Sequence, residues 1–261
     1  MSPMRKSSQE PTGRAAREWG PQASGRIPLD GKTQSDRAVH LIHEDIVSGR
    51  MSPGERLKPE ELKDRYGLGL SPIREALLRM TAEGLVTLEG QRGFQVPPAS
   101  VDELEDIAWI RTELSCLALR RSIELGGHDW EADVVAAFHR MERFLPMVMA
   151  DPEQHGQEWE ERNRDFHAAL ESACRSPWLL HFNTVAFAQS ERYRRRFVDY
   201  GLLLPAAQQE HARIMQAAID RRADEACAFL TEHIAENMKV VVDCMTRPSS
   251  VVTRGGPKPD G

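Results

Sequence analysis

Gly67-Leu68-Gly69-Leu70-Ser71-Pro72-Ile73-Arg74-Glu75-Ala76-Leu77 is the stretch on which the fold turns. Two glycines in four residues break one helix. Ser71 followed by Pro72 then signals the start of another, with Ser71 as N-cap and Pro72 at the first helical position. Ile73, Leu77 and Met80 keep a helical apolar spacing, and Gly84 can end it. Upstream, Ala38, Leu41, Ile42 and Ile46 predict a helix over 35–49, and Pro53-Gly54 a turn. A short helix is expected from Pro59 to Tyr66. Downstream, Leu85-Val86-Thr87-Leu88, the Glu89–Gly93 turn and Phe94-Gln95-Val96 predict a β-hairpin. Three helices, a short glycine-containing turn and a hairpin make a winged helix-turn-helix.

Such a unit reads DNA when the third helix offers basic and polar side chains at its N-terminus. Ser71, Pro72 and Arg74 stand there, and Arg74 can bind phosphate or pair bidentately with guanine. Arg92 lies at the hairpin tip, placed to touch the DNA backbone or minor groove. Lys58 precedes the second helix. The competing reading is that Arg74 pairs with a carboxylate and the unit is an interaction module.

The remainder has a different character. From 101 to 246 no strand pattern occurs. Six helices are predicted, over about 101–124, 130–149, 155–174, 177–198, 205–221 and 223–245, as an all-α bundle. Pro97-Pro98 favours an extended linker between a 32–98 DNA-binding unit and a 99–246 bundle. Residues 1–31 read as a disordered arm and 247–261 as a flexible tail. The chain has 261 residues and a net charge of −6. The 32–98 unit is balanced at ten basic and ten acidic residues, so the acidic surplus belongs to the bundle side. No apolar run approaches the ~18–20 residues that span a bilayer, and no signal peptide is evident. Four scattered cysteines without a CxxC pair fit a reducing cytoplasm.

Polar residues on the bundle's apolar stripes point to a site. Arg111 lies among Leu104, Ile107, Ala108, Leu114 and Ala118, and a buried arginine needs an anionic partner from protein or ligand. His167 shares a stripe with Asn163, Phe166 and Leu170. His211 shares one with Ile214 and Ala218, and His233 one with Ala226, Leu230 and Asn237. Three imidazoles aimed at one interior suit a borderline divalent ion, Zn or Ni. The alternative is three separately satisfied core histidines. A metal-dependent helical enzyme is the rival class, but no HExxH, nucleophile elbow or phosphate loop is present and no catalytic residue is assigned.

The ordered motif Pro53-Gly54-Glu55-Arg56-Leu57 … Leu70-Ser71-Pro72-Ile73-Arg74-Glu75-Ala76-Leu77 … Glu83-Gly84-Leu85-Val86 … Arg92-Gly93-Phe94 resembles the DNA-binding domain of GntR-family bacterial regulators. The resemblance implies a homodimer on a palindromic double-stranded operator, contacted by Arg74. Many relatives carry Ser-Arg-Thr before the proline where this chain has Gly69, Leu70 and Ser71, which implies a different operator. The bundle resembles the FCD effector domain of the FadR-type branch. That likeness implies a metal held by Asn163, His167, His211 and His233, and a small carboxylate effector paired with Arg111 or, less directly, Arg194. Gly67–Leu77 and Ala118–Glu124 look like CsiR-type repressors, which respond to glutarate.

Overall fold

The computed structural model describes residues 33–198 and 200–246. The predicted arm over 1–31 and the predicted tail from 247 lie outside the described residues. The architecture is mainly α: an N-terminal winged helix-turn-helix followed by a six-helix bundle. Among the described residues no helix is long and apolar enough to cross a membrane.

In the N-terminal unit, α1 (Gln34–Val47) begins where the Thr33 hydroxyl accepts from the Asp36 amide. Its buried Ala38, Val39, Ile42 and Ile46 join one core with Ile73, Ala76, Leu77 and Met80 of α3 (Leu70–Ala82). Between them α2 (Pro59–Tyr66) ends at Gly67, whose φ of +63° a side chain would strain. One expectation is corrected here. Ser71 is not the N-cap, because α3 starts two residues earlier than expected, at Leu70, with Gly69 as its cap and no side-chain cap bond. Pro72 is therefore the third helical residue. Its missing N–H still costs nothing, since the first four helical N–H groups have no intrahelical partner.

The hairpin is shorter than expected: β2 (Thr87–Glu89) pairs antiparallel with β3 (Gly93–Gln95) around a 3-10 turn at Gly90–Arg92. Leu85 and Val86 lie buried before the strand rather than in it. A third strand, β1 (Arg56–Leu57), pairs with the other side of β3 to give the order β1-β3-β2. Two residues are too short for a period-2 alternation to mark this strand in the sequence.

The bundle runs α4 (Val101–Leu125), α5 (His128–Ala150), α6 (Pro152–Glu171), α7 (Pro177–Phe197), α8 (Tyr200–Ile219) and α9 (Ala223–Thr246). Side chains of Ser100, Asp151 and Ser176 cap α4, α6 and α7, with prolines following the last two. The main core draws Leu119 and Ile123 from α4, Phe138 and Met141 from α5, Phe166 from α6, Ile214 from α8 and Leu230 from α9. Such layered packing holds facing side chains from α4, α6, α8 and α9 at fixed separations.

The two units meet along α7. Gln189 Nε2 donates to the Glu83 carbonyl at the end of α3 over 2.7 Å. Arg195 donates to Glu44 of α1 over 3.3 Å. The Tyr193 hydroxyl accepts from the Ser100 amide at 3.0 Å and bonds Glu103, which pins the linker to the same helix.

Candidate metal centre

Three imidazoles converge inside the bundle. His167 comes from α6, His211 from α8 and His233 from α9, each at most 3% exposed. One ring nitrogen from each lies within 4.8 Å of the others, and His211 Nε2 stands 3.2 Å from His233 Nε2. Asn163 precedes His167 by one helical turn and is equally buried. Among the described residues, Asn163 Oδ1, His167 Nε2 and His211 Nδ1 are buried without a hydrogen-bond partner. Orphaned polar atoms in a packed core are costly unless something outside the chain satisfies them. An oxygen and imidazole nitrogens are the donor set of a borderline divalent ion, so these residues fit one.

The electrostatics agree. Desolvation holds His233 down to about 3. Burial, then the neighbouring His211 and Arg111, keeps His167 well below its ordinary value, and His211 behaves alike. The rings are therefore neutral at physiological pH, the protonation state a metal requires. Glu210 Oε2 accepts from His233 Nδ1 at 2.7 Å, which turns Nε2 toward the other rings. Asn237 Nδ2 sits 3.0 Å from that Nε2.

Arg111 lies beside this cluster, 2% exposed. Its guanidinium stacks 4.4 Å from the Phe187 ring centroid, and Phe187 in turn packs on His167. It donates to Ser190 Oγ at 3.0 Å, while its Nε is unpartnered. No described carboxylate lies within ion-pair distance of it, and burial, then Arg194, lowers it to about 9. Arg194, the second arginine expected at the site, instead grips both oxygens of Glu160 of α6 through Nε and Nη2 on one edge of its guanidinium. Nearby, Ser115 donates to Asn183, and Asn183 donates to Glu171 at 2.6 Å. Burial pushes Glu171 up to about 7.

Sequence reasoning missed Glu171, Ser115, Asn183 and Phe187, and missed the contact of Glu210 with His233. Glu210 was visible only as the neighbour of His211, and adjacent helical residues point apart. That divergence is what lets it reach His233 on the next helix.

The reading face is distinct. Ser71 and Arg74 are exposed at the start of α3, with Pro72 partly so. Lys58 pairs with Glu61 at 2.6 Å and Arg92 with Glu89 at 3.1 Å, both exposed pairs of small worth that an approaching phosphate can displace.

Comparison with known proteins agrees with this layout. Residues 34–96 match the family described as bacterial regulatory proteins, gntR family, and residues 106–236 match the FCD domain. The chain is 40% identical to the uncharacterized HTH-type transcriptional regulator BphR of Paraburkholderia xenovorans (strain LB400), over 77% of this chain and 82% of that one. It is 31% identical to the HTH-type transcriptional repressor GlaR of Escherichia coli (strain K12), over 78% and 94%. The fold is shared with E. coli McbR/YncC at a TM-score of 0.65 and 18% identity, covering 81% of this chain and 98% of that one. With the winged head, the helical bundle and relatives along most of its length, the chain belongs to the GntR family of bacterial transcription regulators that carry an FCD domain.

Proposed function

We propose that the protein is a metabolite-responsive repressor that binds a palindromic operator as a homodimer and is released by a small dicarboxylate of the glutarate type. The observation that carries this reading is Arg111: a buried cation with an unpartnered Nε and no ion-paired carboxylate among the described residues, beside three neutral imidazoles. Asn163, His167, His211 and His233 would hold a divalent ion, Zn or Ni. When bound, that ion supplies positive charge for an anionic effector. Arg111 pairs with an effector carboxylate through its free edge. The new anion competes with Glu160 for Arg194, whose guanidinium lies 5.8 Å from the same Phe187 ring. Arg194 precedes Arg195, which holds Glu44 of the reading head, so a shift at the end of α7 moves α1. Affinity for two half-sites depends on the spacing of two heads, and an effector favouring another spacing releases DNA.

Exposed Ile110 and Leu117 on α4, with Trp178 stacked on Phe182 in the open on α7, support the dimer, since these helices adjoin and clustered exposed apolar side chains mark an interaction surface. The name GlaR, a repressor, supports the sign of regulation. The enzyme reading loses ground because Glu210, the nearest general-base candidate, is held by His233.

The test is binding of the full chain to DNA from upstream of its own gene, with zinc and with glutarate and related dicarboxylates. Sequence-selective binding that a dicarboxylate weakens is the expected result. Arg74→Ala should lose about 1–3 kcal/mol of DNA affinity. Selective binding unmoved by any dicarboxylate would remove the effector class, and binding indifferent to Arg74 would remove that residue from the DNA contacts.

A further inference from the structure

Two thiols face each other where α4 packs on α9. Cys116 Sγ lies 3.6 Å from the Cys227 carbonyl oxygen, and Cys227 Sγ lies 3.5 Å from the Cys116 carbonyl oxygen. This reciprocal contact means that the two backbones approach closely with both side chains directed across the gap. The residues are 111 apart in sequence, so only the packed bundle brings them together. Cys116 is partly exposed, while Cys227 is buried. Cys116 also touches the Thr231 hydroxyl at 3.6 Å.

We infer that Cys116 and Cys227 are a reversible oxidation site, in which a hydroperoxide converts the pair to an intramolecular disulfide that staples α4 to α9. The Cys116 thiolate attacks the peroxide, its O–O bond breaks, and Cys116 becomes a sulfenic acid as one oxygen leaves as hydroxide and takes up a proton. The Cys227 sulfur then attacks Cys116 sulfur, and the sulfenic oxygen departs as a second water. Two thiol hydrogens and two electrons leave the protein, and one hydrogen peroxide becomes two waters. A dithiol reductant reverses the change. The chemistry suits the order of attack. A hydrogen bond from the Cys227 thiol holds Cys116 at about 7 against burial, while the same bond and burial push Cys227 upward. The exposed thiol is therefore the nucleophile and the buried one resolves it.

The staple ties the helix carrying Arg111 to the helix carrying His233. That consequence for effector binding rests on the proposed function, but the disulfide itself does not.

The test treats the reduced, zinc-loaded full chain with micromolar hydrogen peroxide. Thiols are counted, and unreduced peptides are read by mass spectrometry. The expected result is loss of two of the four thiols and a linked Cys116–Cys227 peptide. A melting midpoint raised by several degrees and restored by dithiothreitol should accompany it. Cys116→Ser and Cys227→Ser should each abolish the link, and Cys174→Ser and Cys244→Ser should keep it. Unchanged thiols, a link through Cys174 or Cys244, or sulfinic acid at Cys116 with Cys227 intact would overturn the pair. A formed disulfide that leaves dicarboxylate affinity unchanged would overturn only the coupling to the effector site.

Discussion

At the scale of single residues, the site depends on which nitrogen of His233 faces inward. Glu210 decides this by accepting from Nδ1, and such outer partners fix ring orientation and raise ligand basicity. Glu210→Gln keeps the size and loses the charge, so metal affinity should fall about 10–100-fold with the fold intact. Competition against a chromophoric chelator measures this, and an unchanged affinity would mean that Asn237 alone sets the ring. Asn163 offers only a neutral oxygen. Asn163→Asp should bind zinc more tightly in the same assay and be less stable without metal, because the new carboxylate is then buried and unpaired. The histidines and Arg111 were legible in the sequence because each interrupts an apolar stripe at helical spacing. Glu210 was not, because its partner lies on another helix and the contact has no spacing of its own.

At the scale of elements, the six bundle helices could be read from their apolar periodicity, which is a local signal. Strand β1 could not, since two residues carry no alternation and only pairing with β3 defines them. The seat of α1 on α7 was equally invisible, because it is built from charges far apart in sequence. Its centre is Glu191, fully buried, which accepts three hydrogen bonds from Arg164 of α6 and one from Arg195. Surrounding arginines hold its carboxyl below the ordinary range although burial opposes this. Removing one member of such a cluster leaves buried positive charge without its counterpart. Glu191→Ala should therefore cost about 3–5 kcal/mol in urea unfolding, far more than loss of an exposed pair such as Lys58–Glu61. A cost below about 1 kcal/mol would show that the cluster admits water.

For the molecule as a whole, the balance of buried ionisable groups sets how the metal-free protein responds to acid. In the unfolded chain the three histidines titrate near 6.5, whereas burial holds His233 at about 3 and the other two well below their ordinary value. Below pH 6.5 the unfolded chain therefore binds more protons, and stability falls with pH by up to about 1.4 kcal/mol per pH unit for each histidine. Glu171 acts in the opposite sense. Raised from 4.5 to about 7, it takes a proton in the folded state first, so it adds stability as pH falls from 7 to 4.5. Three groups outweigh one, and the net change is a loss. Glu44 joins lower down: burial opposes its ionisation, but His43 and Arg195 hold it at about 2, so its contribution disappears as pH drops from 4.5 toward 2. The melting midpoint of metal-free protein should thus hold above pH 6.5, decline below it, and decline faster under 4.5. Glu171→Gln should steepen the first decline, and replacing His233 with Gln should flatten it. A midpoint constant down to pH 4 would mean that the imidazoles charge inside the folded bundle, and the interior would then be open to water rather than sealed around its ligand nitrogens.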